Sequence, residues 1–334
     1  NGKFAARWEP IAGYAIRGSV SNGFRAPSLH QQFFTTSSTN FIGGVPVDIS
    51  TVAVNSPVVQ AHGSTPLKRE KWVTLAVAAT ANPLRGLTLT ADVYKITIDD
   101  RIVLTENLGA AGSGTAAQNA AVKAILDANG FASVGAARFF INGLDTTTKG
   151  VDLVATYNFG AADLGRWNLT AAYNYNKTKI DKRNNALGPP AQIPGLVLFG
   201  RIEGIRFTDG QPRDKIVLSA DGEVSQFGVT ARTTRYGKVV SPGAAAPLAP
   251  TATSHTAFGA DDIFLGRKWI TDLELRWKPG GGTEFALGSN NLFDVYPDRS
   301  PFGVRSAELG GGQFPANQIY IPYSIFSPFG FNGR

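Results

Sequence analysis

Cysteine is absent from this chain of 334 residues, and so is methionine. The first absence excludes disulfides and thiolate-held metals. The second extends even to position 1, where Asn1 leads into what reads as a strand already under way. We therefore expect a segment of something longer. Histidine is scarce: His30, His62 and His255 stand at no metal-ligand spacing from one another, and each reads as a solvated loop residue. No metal site or cofactor is expected. No apolar run approaches the roughly 20 residues of a membrane-spanning helix, and no signal peptide is visible. Catalytic patterns are missing as well. No Gly-x-Ser-x-Gly element occurs, and no nucleophile stands at a recognisable spacing from a base, so an enzyme is not expected. The glycine triplets at 280–282 and 310–312 neither follow a buried strand nor open a helix, so they are turns rather than phosphate cradles. The net charge of +7 is scattered among acidic residues without a dense basic run, which argues against nucleic acid.

What the chain has instead is alternation. In the stretch 267–278, Trp269, Thr271, Leu273, Leu275 and Trp277 take the odd positions, and Lys268, Asp272, Glu274, Arg276 and Lys278 take even ones. A period of two means a strand with one apolar and one charged face. The two tryptophans are eight residues apart, roughly 26 Å along a strand. Tilted by about 40°, that span matches the apolar band of an outer-membrane barrel between its aromatic girdles. The stretch 166–177 repeats the device, with Trp167, Leu169, Ala171, Tyr173 and Tyr175 opposite Asn168, Thr170, Asn174 and Asn176.

Ten such strands are expected, at about 2–10, 13–23, 68–82, 86–99, 146–159, 165–178, 213–222, 226–239, 267–278 and 282–292. The joints alternate between short turns rich in Gly, Pro or Asn and long loops at about 24–67, 100–145, 179–212, 240–266 and 293–328. Short turns at one end and long loops at the other are the pattern of a transmembrane antiparallel β-barrel. Residues 94–98 break phase with 87–93, which suggests a bulge. One loop holds an alanine-rich helix at 115–129, stopped by Gly130.

Several motifs then resemble TonB-dependent outer-membrane receptors. They run in order: Gly23-Phe24-Arg25-Ala26-Pro27-Ser28-Leu29; Leu67-Lys68-Arg69-Glu70, with arginine where the family has proline; and Ile98-Asp99-Asp100-Arg101-Ile102. After these come Asn142-Gly143-Leu144-Asp145-Thr146, then Lys149-Gly150-Val151-Asp152-Leu153, then Asn290-Asn291-Leu292-Phe293-Asp294, and finally Ser327-Pro328-Phe329 with Gly330-Phe331-Asn332-Gly333-Arg334. Together they cover nearly the whole chain. The resemblance implies a 22-stranded barrel filled by an N-terminal plug, opened by TonB in the inner membrane of a Gram-negative bacterium. Residues 1–334 would be the C-terminal portion of that barrel, without the plug, the TonB box, the early strands and the last strand. The implied function is uptake of a scarce ligand across the outer membrane, by default a ferric siderophore or other iron complex, with an oligosaccharide as the competing cargo. The implied partners are the TonB complex, the plug and outer-membrane lipid.

Within this reading Arg25, His30, Gln31, Gln32, Phe33 and Phe34 combine charge, amides and aromatic faces, and are the candidate ligand contacts. The competing structural role is that Arg25–Leu29 fixes the strand exit while Phe33 and Phe34 pack the loop. Trp72, Trp167, Tyr175, Trp269 and Trp277 are the expected membrane-interface aromatics. Asp99 and Asp100 are expected to bond rim groups. Two other classes compete: a complete ten-stranded outer-membrane enzyme, and a soluble β-sandwich with shorter strands and no aromatic girdles.

Overall fold

The computed structural model of the protein describes residues 1–42, 45–110, 114–161, 163–184, 193–243, 258–259, 262–299, 323–324 and 327–329. His255, the glycines at 310–312 and Gly330–Arg334 lie outside the described residues.

In chain order the first elements are β1 (Gly2–Ile11), β2 (Tyr14–Arg25), α1 (Leu29–Phe33), β3 (Thr36–Ile42), β4 (Val45–Thr51), α2 (Pro57–Ala61), β5 (Glu70–Leu84) and β6 (Leu87–Leu104). There follow β7 (Leu108–Gly109), α3 (Ala116–Ala128), β8 (Val134–Arg138), β9 (Phe140–Ala161), β10 (Gly165–Arg183) and α4 (Arg201–Asp209). The last are β11 (Asp214–Val224), β12 (Phe227–Tyr236), β13 (Val239–Ser241), β14 (Ile263–Leu265), β15 (Lys268–Gly280) and β16 (Thr283–Ser289).

The ten long strands form one sheet in the order β1-β2-β5-β6-β9-β10-β11-β12-β15-β16, each pair antiparallel. Among the described residues β1 pairs only with β2 and β16 only with β15, so the sheet is an arc with two open edges. Every expected strand is present. The arc is part of a barrel wall rather than a closed barrel.

Two-residue turns join the strands at one end, as at Ala12-Gly13, Arg85-Gly86 and Ser225-Gln226. Gly86 has a φ of +84°, and a Cβ there would stand 2.0 Å from the Asn158 carbonyl oxygen. Gly165, at φ +71°, would likewise meet the Glu223 carbonyl oxygen at 1.9 Å. Only glycine lets these turns tuck against the neighbouring hairpin.

The register puts the apolar set on one face. Phe159 opposes Trp167, Val77 opposes Val93, and Phe227, Trp277 and Phe285 lie in one row. This face is open: Trp269 and Trp277 are each 45% exposed and Val77 is 59% exposed. Among the described residues no second sheet covers the indoles, which argues against the sandwich. The opposite face is tied by polar contacts across strands. Arg17 pairs with Asp92 at 2.9 Å, Asn168 donates to Asn158 at 2.5 Å, and Asp221 accepts from Thr230 and from Arg276 at 2.7 Å.

The phase break after Val93 is not a bulge. Pairing of β5 with β6 is continuous from Ala81–Leu89 to Lys71–Asp99, and the β6–β9 register slips only between Ile98 and Arg101, where Asp100 has a φ of +56°, and between Arg101 and Ile102. The polarity itself inverts: Tyr94, Ile96 and Ile98 turn to the polar face, while Lys95 and Thr97 continue the row of Val93. The strand has left the apolar band there.

The close-packed core lies elsewhere, among the long loops. Val58, Val122, Leu126, Phe139, Leu144, Ile180 and Leu198 form one buried cluster, each at most 2% exposed. The loops are built, not irregular. β3, β4, β8 and β7 form a small sheet, with β4 and β8 parallel, and β13 pairs with β14. Among the described residues four helices stand in place of the single one expected. The expected one is α3, with Thr115 and Gln118 forming a capping box and Gly130 following at φ +84°. The other three are short, and their sequences lack the long apolar period that made α3 legible.

His62 departs from expectation. It is 1% exposed, with Nδ1 2.7 Å from the Val58 carbonyl oxygen and its ring 6.0 Å from that of Phe139. It ends α2 inside the loop core, because the helix faces inward there. Burial pushes its pKa down. The stability linked to it is therefore intact above the unfolded value of about 6.5 and is lost as pH falls from there through the lower folded value. Protection factors of the amides around α2, corrected for the intrinsic pH dependence of exchange, should fall over that range, and His62→Gln should flatten the dependence.

Candidate ligand-binding mouth

The mouth is built where β2, β5, β6, β9 and β10 run beyond the apolar band into the loops. Arg25 at the end of β2 donates its Nε to Glu70 Oε2 at 2.6 Å, and Glu70 Oε1 accepts the Ile102 N–H at 2.7 Å. Glu70 is 6% exposed, whereas the Arg25 side chain is 52% exposed. The Gly-Phe-Arg-Ala-Pro-Ser-Leu and Leu-Lys-Arg-Glu segments thus meet in one clasp that aligns three strands. Glu70→Ala should cost about 1–3 kcal/mol, because the Ile102 N–H loses its acceptor in a dry site. Urea unfolding of the refolded protein measures it, with Glu70→Gln as the milder control.

Arg101 donates to Thr146 Oγ1 at 3.3 Å and lies 4.5 Å above the Phe207 ring of α4. Arg183, 8% exposed at the end of β10, donates to the Phe199 and Gly200 carbonyls and stacks 5.4 Å from the Phe199 ring. Its Nε and second terminal nitrogen have no hydrogen-bond partner among the described residues. Glu106 accepts the Ile202 N–H at 3.1 Å and lies against Gly200, so close that a Cβ there would be 2.2 Å from the carboxylate. A carboxylate at the first turn of α4 suits the helix dipole. Arg201, in the same turn, pairs with Asp262 in the following loop. Guanidinium planes backed by rings therefore cluster at this end of the wall. Pattern reading missed Arg101 and Arg183, although Arg101 stood within a quoted motif.

The structure places the expected ligand contacts on the exposed first turn after β2. Gln31 and Ser28 form the capping box of α1, and the Gln32 amide donates to the Pro27 carbonyl at 3.1 Å. Both amides are occupied by the loop itself. His30 stacks on Phe34 with ring centroids 4.2 Å apart, and Phe33 is 55% exposed. Asp100 bonds the rim, its N–H reaching Asp145 at 2.9 Å and its carbonyl accepting from Asn142.

Trp167, Tyr175, Trp269 and Trp277 share the open apolar face. Trp72 does not. It alternates with Lys71 and Val73 and lies over Gly23, whose added Cβ would be 2.3 Å from the indole, on the side of Glu70 and Arg25. This corrects its assignment: near the mouth the inner face of the wall also carries apolar side chains, Trp72 in register with Ile98, so hydropathy alone does not mark the lipid side. Trp8, 66% exposed and in register with Ile16, joins the apolar face instead.

Among the described residues no group of three or more His, Asp or Glu comes together as a metal site. Long strands with a bare apolar face, a bonded polar face, turns at one end and structured loops at the other define the wall of a membrane β-barrel. The family model for the TonB dependent receptor-like β-barrel matches residues 1–292, and the chain belongs to that family. No curated protein matches it. Similar solved structures include the ferripyoverdine receptor of the Pseudomonas aeruginosa outer membrane, at 11% identity and a TM-score of 0.51, over 93% of this chain and 30% of that one. A variant of the Pseudomonas aeruginosa ferric enterobactin receptor gives 13% identity and a TM-score of 0.54, over 89% and 35% of the two chains. The FrpB iron transporter from Neisseria meningitidis gives 14% and 0.51, over 88% and 34%. The chain thus spans about a third of the length of these structures.

Proposed function

We propose that the chain forms part of the wall and ligand mouth of an outer-membrane receptor that imports a ferric siderophore or another iron complex, with no bond made or broken. The single observation behind this reading is the gathering of Arg25, Arg101 and Arg183 at the loop end of the polar face, two of them stacked on phenylalanine. Planar cations on aromatic backing suit an anionic, partly aromatic chelate. In this reading a plug fills the lumen against the polar face, and the TonB complex supplies the work of opening it. The similar structures named for ferric ligands support the iron cargo as an analogy of fold. A sugar cargo has its own support in the stacked His30–Phe34 pair beside exposed Phe33, a surface on which sugar rings can lie.

The test is equilibrium binding to the full-length receptor, with ferric catecholates, ferric hydroxamates and oligosaccharides compared side by side. A ferric chelate should bind, and Arg101→Gln should weaken it roughly tenfold to a hundredfold through the lost charged hydrogen bond. Binding of oligosaccharide alone would replace the iron reading with the sugar one.

A further inference from the structure

Three lysines stand side by side on the apolar face. Lys95 of β6 is in direct register with Lys149 of β9, and Lys149 with Lys177 of β10. All three are exposed. Directly opposed side chains lie about 5 Å apart at Cβ, and like charges in such pairs destabilise a sheet. Yet no carboxylate lies within ion-pairing distance of any of the three among the described residues. The nearest outward lysines do have acids beside them: Lys71 is 3.9 Å from Asp100 and Lys179 is 3.9 Å from Asp181.

The row sits at a boundary. Each lysine is two residues beyond the last apolar or aromatic member of its strand's open face: Val93, Val151 and Tyr175. Beneath it, on the same strands, small side chains at Ala91, Ala155 and Ala171 leave a shallow apolar groove between Leu89, Leu153 and Tyr173. A cationic row above an apolar groove matches one kind of molecule, with an anionic head and hydrocarbon tails.

We infer that Lys95, Lys149 and Lys177 form a binding site for the phosphate-bearing headgroup of an outer-leaflet lipid, whose acyl chain lies in the groove below. The inference rests on the membrane reading of the apolar face. The phosphate neutralises the stacked ammonium groups, and the lysine stems cover the apolar rim. The site commits to a lipid source, because free phosphate has nothing to place in the groove.

The test uses the full-length receptor in nanodiscs of phosphatidylcholine, with and without a phosphorylated glycolipid such as lipid A, and counts lipid retained after detergent extraction by native mass spectrometry. The wild type should retain the phosphorylated lipid. Replacing all three lysines with glutamine should weaken retention roughly 100-fold, on the scale of electrostatic attraction per lysine. Leu153→Trp, which fills the groove without touching charge, should also reduce it. Equal retention by the wild type and the triple variant would overturn the site. Competition by inorganic phosphate as effective as by the lipid would overturn the role of the groove. Failure of the wild type to enter nanodiscs of either composition would instead overturn the membrane reading itself.

Discussion

Asp262→Ala should be the most damaging single substitution in the loops, at about 3–5 kcal/mol for the broken buried ion pair. The Asp262 side chain is fully buried against Arg201, which is itself only 9% exposed. Its carboxylate also accepts the Gly243 N–H at 2.9 Å and the Gly259 N–H at 2.7 Å. Alanine would take the carboxylate from the buried Arg201 guanidinium and leave two amides without these acceptors in a dry site, where each loss carries its desolvation cost. Burial alone would raise the Asp262 pKa, but the Arg201 hydrogen bond and the two amides outweigh it and hold the carboxyl below its usual range. The sign follows: the stabilisation is complete above the unfolded value near 4 and is lost as pH falls through the lower folded value. Urea unfolding followed from pH 7 to pH 3 should show this acid dependence in the wild type and lose most of it in the variant. A variant as stable as the wild type at pH 7 would contradict the pairing of the two loops through α4.

Leu273→Arg should destabilise the assembled, membrane-inserted barrel by about 2–4 kcal/mol, the cost of a cation on the lipid side near the midplane. Leu273 is in register with Ala231 and Ser289, in the row that alternates with the charged face of β15. Its neighbour Glu274 opposes Thr230 on the polar face, beside the Asp221–Arg276 pair. Glu274→Gln should therefore cost little. Refolding titrations into lipid vesicles compare the two directly. Equal effects would mean that the faces of the sheet are reversed or that neither meets lipid.

The strands were legible because alternation is a local property. Residues 267–278 and 166–177 announced their faces without reference to any neighbour, and the observed β15 and β10 follow them closely. The capping box at Thr115 made α3 legible for the same reason. The strand ends were not legible. β9 begins at Phe140, well before the alternation starts, because its first residues pair with 101–104 inside the loop core rather than along the wall. Tyr94, Ile96, Ile98 and Trp72 changed sides as the environment changed from lipid to mouth, and a period of two carries no label for which side is dry.

The candidate site was legible only in part. Arg25 and Glu70 sat in motifs that marked them, but their partnership spans 45 residues of sequence and exists only through the β2–β5 register. Arg101 belongs to one long loop's boundary and Arg183 and Phe207 to another, and the three carry no shared spacing. His62 read as a solvated loop residue because nothing near it in the sequence shows that α2 closes over Phe139.

By itself, then, the amino-acid order determined the ten long strands of the wall, the two-sided character of each ribbon and the division into short turns and long loops, since each depends on side chains within a few positions of one another. Only the tertiary structure decided that the loops own the close-packed core, that arginines from distant strands share one mouth, and that three lysines stand in a line. Those facts depend on register between strands, where a shift of one residue would send each side chain to the opposite face.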